Sequence, residues 1–359
     1  MPSEFGLPIF RPLGFGLNSF VRRLEHIQSS QILSNFGPQE AELRGRVASI
    51  TGASPSNVIT FSSGFAALRG AVAAQSGSSW SVPDYSFAGC PLAVLDSGRG
   101  ATVVDVSRET WTSATHHFPP ETAGDLRLVP FGKSFALEDY VSEDRPTIID
   151  AAASFGNAQP FFPRMGSNVM VMFSFHATKV FGAAEGGVLV VPNSETAESI
   201  RRWSNFGISR DGITAAAGVN AKMAEISAAA INSNLERQTQ IKDLFLELRA
   251  KAREIEAEFN LDGWLGDSDV SPYWAVRMPR SELVHSLTAL GAEHSVEFRP
   301  LWRTRASQIK HPQLSTSNSK FPVSDELFNS VIGLPFWPGM TSQDFQLIRR
   351  LLGKLELQR

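Results

Sequence analysis

A single cysteine, Cys90, stands among 359 residues, which excludes an intramolecular disulfide framework and any cysteine-rich zinc site. No apolar run approaches the roughly 20 residues needed to span a bilayer. An excess of one charge is also missing: 33 Lys and Arg face 36 Asp and Glu, for a formal net charge of -3. That balance gives no electrostatic case for binding nucleic acid or an anionic membrane. There is no Walker loop, and Gly98-Arg99-Gly100 is too short to be a dinucleotide fingerprint. An oxidoreductase on a doubly wound sheet is therefore disfavoured. The opening Met1-Pro2-Ser3-Glu4-Phe5 lacks a basic segment followed by an apolar core, so no secretory signal is expected, and a cytoplasmic protein is the default. What is present, 42% hydrophobic and 19% charged residues, suits a soluble globular chain long enough for two domains.

From about residue 58 to 192 short apolar runs alternate with helix-like segments. Val58–Phe61, Trp80–Pro83, Ala101–Asp105, Leu126–Pro130 and Thr147–Asp150 read as strands, and Ala66–Val72 and Pro91–Leu95 as helices. Such alternation predicts βαβ units and a mostly parallel sheet with helices on both faces. Ser62, Asp105 and Asp150 fall at carboxyl ends of strands, where parallel sheets place function. After residue 220 the pattern changes. Ala221 to about Phe259 reads as one long helix. Tyr273–Met278, a helical Glu282–Leu290, Ser295–Phe298 and a last helix near Gln343–Leu355 suggest a smaller α+β domain. The polar stretch His311–Lys320 is expected to be a flexible loop.

The chemistry centres on Lys179. Val169–Phe175 is apolar and β-prone, as expected of a strand buried on both faces. It breaks into His176-Ala177-Thr178-Lys179, and Glu185-Gly186-Gly187 then leads into the apolar Val188–Val191. An amine on a turn between core strands loses solvation, which lowers its pKa and makes it a Schiff-base nucleophile. The same segment reads equally as a surface lysine on a hairpin. Asp150, followed by small residues, suits an ion pair with a pyridinium N–H, or an N-cap of the next short helix. Ser62-Ser63-Gly64-Phe65 lies between a strand and a helix, a phosphate-binding arrangement that is also a routine cap. Phe87, after Pro83-Asp84-Tyr85-Ser86, could stack on a flat ligand or belong to the core. His176 favours neither catalysis nor packing.

Five segments in order resemble the DegT/DnrJ/EryC1/StrS aminotransferases, fold-type-I, pyridoxal-phosphate-dependent enzymes acting on nucleotide-linked keto-sugars. They are Ser63–Leu68, Val82–Phe87, Asp150–Ala152, Ser174–Lys179 with Glu185–Gly187, and Gly218–Glu225. The resemblance implies an α/β fold: a large cofactor domain over residues 1–225 with an N-terminal arm and a mostly parallel, seven-stranded sheet. A long connecting helix and a small α+β domain would occupy residues 226–359. It implies that Lys179 bonds the cofactor covalently, that Asp150 keeps the pyridine nitrogen protonated, and that Phe87 stacks on the ring. Ser63, Gly64, Phe65 and Ser174 fall at phosphate-binding positions. Asn220 matches an asparagine that reaches the phosphate from a partner subunit, which implies a homodimer with shared active sites. No metal is implied.

Two positions depart from the family pattern. Phe65 stands where the family usually has Thr, and Ala153 where it usually has Gln or His; weaker cofactor retention is the expectation. Related sugar dehydratases carry His in place of the lysine, and Lys179 argues against that branch. Ser174–Phe181, Asn205–Ile208 and Lys222-Met223 look most like members that aminate C4 of a dTDP-linked 4-keto-6-deoxyhexose, with glutamate as amino donor. A 3-keto-sugar aminotransferase is the alternative within the family. A cofactor-binding, non-catalytic regulator is the alternative outside it. Arg299, Trp302 and Arg303 are expected to bear on substrate choice, the arginines by holding the nucleotide diphosphate or simply as solvated surface.

Overall fold

The computed structural model describes residues 4–113, 119–141, 145–209, 212, 217–318 and 320–355. Two helices come first, α1 (Leu17–Ser30) and α2 (Pro38–Thr51). The alternating stretch then supplies β1 (Val58–Phe61), α3 (Gly64–Ala73), β2 (Ser79–Pro83), α4 (Gly89–Leu95), β3 (Gly100–Val104), β4 (Gly124–Leu128), β5 (Thr147–Asp150), β6 (Val169–Ser174), β7 (Gly187–Val190) and α5 (Ser194–Trp203). The remainder holds α6 (Glu225–Leu235), α7 (Gln238–Glu258), β8 (Asp262–Gly263), β9 (Trp274–Arg277), α8 (Glu282–Glu293), β10 (Leu314–Thr316), α9 (Pro322–Ser330), β11 (Val331–Leu334) and α10 (Ser342–Gly353).

The large sheet runs β1-β7-β6-β5-β4-β2-β3-β10. Among its described strands β7 alone runs against the direction that the others share. Strand order reverses between β4 and β2, so the carboxyl ends there open a crevice of the kind that binds ligands in open α/β sheets. Along β6 the side chains alternate between two cores: Val169, Val171 and Phe173 point to one, Met170 and Met172 to the other. That period of two, with apolar residues on both faces, is why the strand reads as an unbroken apolar run. A second sheet, β11-β9-β8, is antiparallel. No helix among the described residues is long and apolar enough to cross a membrane.

Four expectations change. The sheet has eight strands rather than seven, because Leu314–Thr316 pairs in parallel with Ala101–Val103. The supposed loop His311–Lys320 thus contains an edge strand, steadied by Thr102 and Ser315 hydroxyls 3.2 Å apart; Ser319 of that stretch lies outside the described residues. The long helix begins at Glu225 and breaks between Leu235 and Gln238. There the Asn234 side chain donates to the Gly182 carbonyl (3.1 Å) and Arg237 donates to Asn234 (3.1 Å) and to the Gly14 carbonyl (3.2 Å). Tertiary partners at the break outweigh the helical propensity of the flanking sequence. Ser295–Phe298 contributes an isolated bridge, Val296 to Leu7, rather than a strand.

Candidate active site

The carboxyl ends of β1, β4, β5 and β6 surround a cavity of about 340 Å³. At its base, α3 begins. Ser63 is its N-cap, and the hydroxyl accepts from the Ala66 N–H at 3.1 Å. The N–H groups of Gly64 and Phe65 belong to the first turn, which has no intrahelical acceptors, so this end attracts an anion. A Cβ at Gly64 would come 3.0 Å from the Ser174 Cβ. One at Gly187 would sit 2.5 Å from the Ser63 carbonyl oxygen and 2.6 Å from the Gly64 nitrogen. Gly64 and Gly187 thus let three backbones crowd together and leave Ser174 beside the helix end. The Ser174 hydroxyl accepts from the His176 N–H at 3.2 Å and faces the cavity.

Asp150 ends β5 and is 3% exposed. Its Oδ1 accepts from the Ala152 N–H at 3.0 Å, and its Oδ2 from the Cys90 thiol at 3.1 Å. The side chain therefore caps its own turn and lines the cavity as well. Burial holds its pKa above the usual carboxylate range; the hydrogen bonds from Cys90 and Ala152 and the charge of Lys179 work against that shift. A cationic N–H arriving in the cavity would stabilise the ionised form.

Lys179 lies on the tight connection between β6 and β7. Its N–H donates to the His176 carbonyl (2.8 Å), and its own carbonyl accepts from Gly182 (2.9 Å). Gly182 must lack a side chain, since a Cβ there would collide with the His176 carbonyl. The Lys179 amine is half-buried rather than sealed, and donates to the Tyr273 hydroxyl at 2.8 Å. Tyr273 was not legible as a site residue: it arrives from just before β9, 94 positions away. His176 faces the same cavity, with Nδ1 2.9 Å from Thr178 Oγ1 and Nε2 3.5 Å from Glu185 Oε1.

The walls are aromatic. Phe87 is 59% exposed and Phe65 38%, and both line the cavity, so each offers a ring to a ligand. Phe131 and Gly132 both have left-handed backbone (φ 54° and 75°), which brings the Phe131 ring over the cavity to 4.3 Å from Trp302 and 5.8 Å from Tyr273. A Phe-Gly pair just past a strand was the one available signal for it. Trp302 lines the cavity, whereas Arg303 is exposed and Arg299 is engaged with Glu297 at 2.9 Å. Ala153 lines the cavity as well.

Two candidates lie elsewhere. Asn220 is exposed outside this cavity and accepts from the Lys222 amine at 2.8 Å. Asp105 accepts from the N–H groups of Val323 and Ser324 (3.1 and 2.9 Å), so it caps α9. A larger cleft of about 790 Å³ exists at Arg277 and Glu326. Its basic and acidic groups pair with one another, as Arg277 does with Asp262 and Glu326, and no lysine faces it.

The first cavity fits the cofactor that the sequence resemblance implies. A phosphate has helix N–H groups and Ser174, a ring nitrogen has buried Asp150, a planar ring has Phe87, and an aldehyde has Lys179. A family model described as the DegT/DnrJ/EryC1/StrS aminotransferase family matches residues 17–352. The chain is 29% identical over 246 residues to a dTDP-4-amino-4,6-dideoxy-D-glucose transaminase of Shigella dysenteriae, covering 66% of this chain and 65% of that one. It is 25% identical over 336 residues to a UDP-2-acetamido-2-deoxy-3-oxo-D-glucuronate aminotransferase of Pseudomonas aeruginosa (strain PAO1), covering 87% and 89%. The crystal structure of DesI, determined in the presence of its TDP-sugar product, superimposes with a TM-score of 0.84 at 23% identity, over 98% of this chain and 93% of that one. That likeness establishes the fold.

Proposed function

The chain belongs to the DegT/DnrJ/EryC1/StrS aminotransferase family, and from that premise we propose that it transfers the amino group of L-glutamate to C4 of a dTDP-linked 4-keto-6-deoxyhexose. At the coarser level it is a pyridoxal-phosphate-dependent sugar aminotransferase. The observation that carries the reading is the convergence of Lys179, Asp150 and the start of α3 on one cavity. Amination at C4 is supported by the activity for which the Shigella relative is named and by the Ser174–Phe181 segment.

When bound, pyridoxal phosphate supplies an electron-withdrawing ring that makes a proton on the amine-bearing carbon labile. The residues of this chain hold and move the rest. Gly64 and Phe65 N–H groups with the Ser174 hydroxyl would take the phosphate, and Asp150 would keep the ring nitrogen protonated. Phe87 would cover one ring face. Lys179 would hold the cofactor covalently at rest and, once free, carry a proton from one carbon to the other through Nζ. Tyr273, 2.8 Å from that nitrogen, orients the amine and has a proton to share with it.

Lys179→Arg keeps the charge but should abolish both turnover and the visible absorbance of the bound cofactor. Turnover surviving that change would refute the assigned role. A 3-keto-sugar acceptor is the second reading, favoured by the Pseudomonas relative. Single-turnover amination of a panel of 3-keto and 4-keto nucleotide sugars, with glutamate as donor, separates the two. Reaction of the 3-keto compounds alone would overturn C4.

A further inference from the structure

Behind the cavity wall, against Asp150, lies a group that neither the family's roles nor the mechanism above uses. Cys90, in the first turn of α4, is fully buried, and its thiol donates to Asp150 Oδ2 at 3.1 Å. Among the described residues this carboxylate has two donors, the other being the Ala152 N–H on Oδ1 at 3.0 Å. One bond on each oxygen fixes the plane of the carboxylate. A side chain nine-tenths buried or more with a free lone pair on each oxygen must be held by such contacts, because water does not reach it to solvate other orientations.

The two donors are unlike. A backbone N–H is a strong donor and cannot be exchanged by mutation. An S–H is a weak one, so it aims the carboxylate while withdrawing little of its charge. The thiol itself stays protonated, because burial first and the neighbouring carboxylate second push its pKa up. The neighbouring strands contribute no competing charge: Leu128 of β4 and Met172 of β6 flank Asp150 in register. Besides Asp150, the titratable groups among the described residues that face the cavity are Lys179, His176, Glu185 and Tyr273, and of these it is the charge of Lys179 that favours the ionised form of Asp150.

We propose that Cys90 is a positioning residue whose thiol aims Asp150 at the ring nitrogen of the cofactor and, as a weak donor, leaves the carboxylate its charge for that contact. The proposal rests on the reading that Asp150 receives the pyridinium N–H. It makes a directional claim that packing alone does not. Removing the donor should raise the proton affinity of Asp150, and replacing it with a stronger one should lower it.

The test measures the dissociation constant of pyridoxamine 5'-phosphate against pH. This probe makes no covalent bond to Lys179, so binding is read without turnover. In the wild type, affinity should fall on the acid side as Asp150 is protonated. Cys90→Ala should weaken binding about tenfold, the scale of one hydrogen bond to a charged group, and move the acid limb to higher pH. Cys90→Ser should recover most of the affinity and move the limb to lower pH. Shifts of the same sign, or none, overturn the proposal. Should Cys90→Ala fail to fold, the Ser variant decides alone, by a downward shift or its absence. Asp150→Asn, run in parallel, should erase the acid limb. A wild-type limb in Asp150→Asn refutes the assignment of Asp150 and the proposal with it. An erased limb with unshifted Cys90 variants refutes only the role of Cys90.

Discussion

Lys179 and Asp150 act from opposite electrostatic positions. The lysine is half-buried and has a hydroxyl partner; the aspartate is buried and lacks a cation within hydrogen-bonding distance among the described residues. Removing the partner of the lysine tests the first. Tyr273→Phe should leave cofactor binding near wild type and lower kcat by roughly tenfold, the scale of one hydrogen bond, measured by stopped-flow amination. The aspartate carries a pH signature in the cofactor-free protein. Its folded pKa is raised by burial, so the native state holds a proton that the unfolded chain has already released. Stability contributed by this group is therefore complete below the unfolded carboxylate pKa and is lost as pH rises through the raised folded value. Asp150→Asn should flatten that part of the stability profile in urea melts taken across pH. An unchanged slope would contradict the burial effect. Asp84 and Asp125 are raised as well, so the comparison is with wild type rather than with zero slope.

At the scale of elements, β6 and β7 were legible because burial on both faces leaves almost only apolar residues along them, whatever the register. The turn carrying Lys179 was legible because Glu185-Gly186-Gly187 marks a place where side chains cannot fit. What sequence pattern missed came from far along the chain. Tyr273 and Phe131 meet over the cavity, beside the Trp302 that the sequence did single out, through tertiary packing, and periodicity describes only neighbours. The helix break after Leu235 was missed for the same reason, since its causes sit at Gly14 and Gly182. Two substitutions probe these elements. Gly182→Ala would force the Lys179 turn off the His176 carbonyl and should cost about 2–3 kcal/mol of stability, in the range of overpacked cores, by chemical denaturation. Asp105→Ala removes the cap of α9 and should cost about 1 kcal/mol, with cofactor affinity untouched because Asp105 lies outside the cavity.

At the scale of the whole molecule, segments distant in sequence close on one site. Asp84 next to the Phe87 turn accepts from the N–H of Ser307 at 2.8 Å and, through its carbonyl, from Ala306 at 3.0 Å. This anchors the segment that carries Trp302. Leu17, Val21, Leu33 and Ile226 are exposed apolar side chains on α1, just after it and at the start of α6, where the Leu33 carbonyl accepts from the Glu225 N–H at 3.1 Å. With Asn220 outside its own cavity, we propose a two-fold dimer in which it completes the partner's site. Lys179→Ala and Asn220→Ala chains, each inactive, should then regain roughly a quarter of wild-type activity when mixed and allowed to exchange, as random pairing in a two-fold dimer requires. No recovery by the mixed chains would exclude shared sites. The edge strand β10 has a consequence of another kind. Ser315 reaches its partner Thr102 across 213 positions, so during synthesis the rim of β3 waits, with main-chain donors and acceptors uncovered, until Leu314–Thr316 has left the ribosome. A chain stalled before Leu314 would offer that rim to any passing strand, which makes the interval between the emergence of β3 and that of β10 a period when this protein is exposed to self-association.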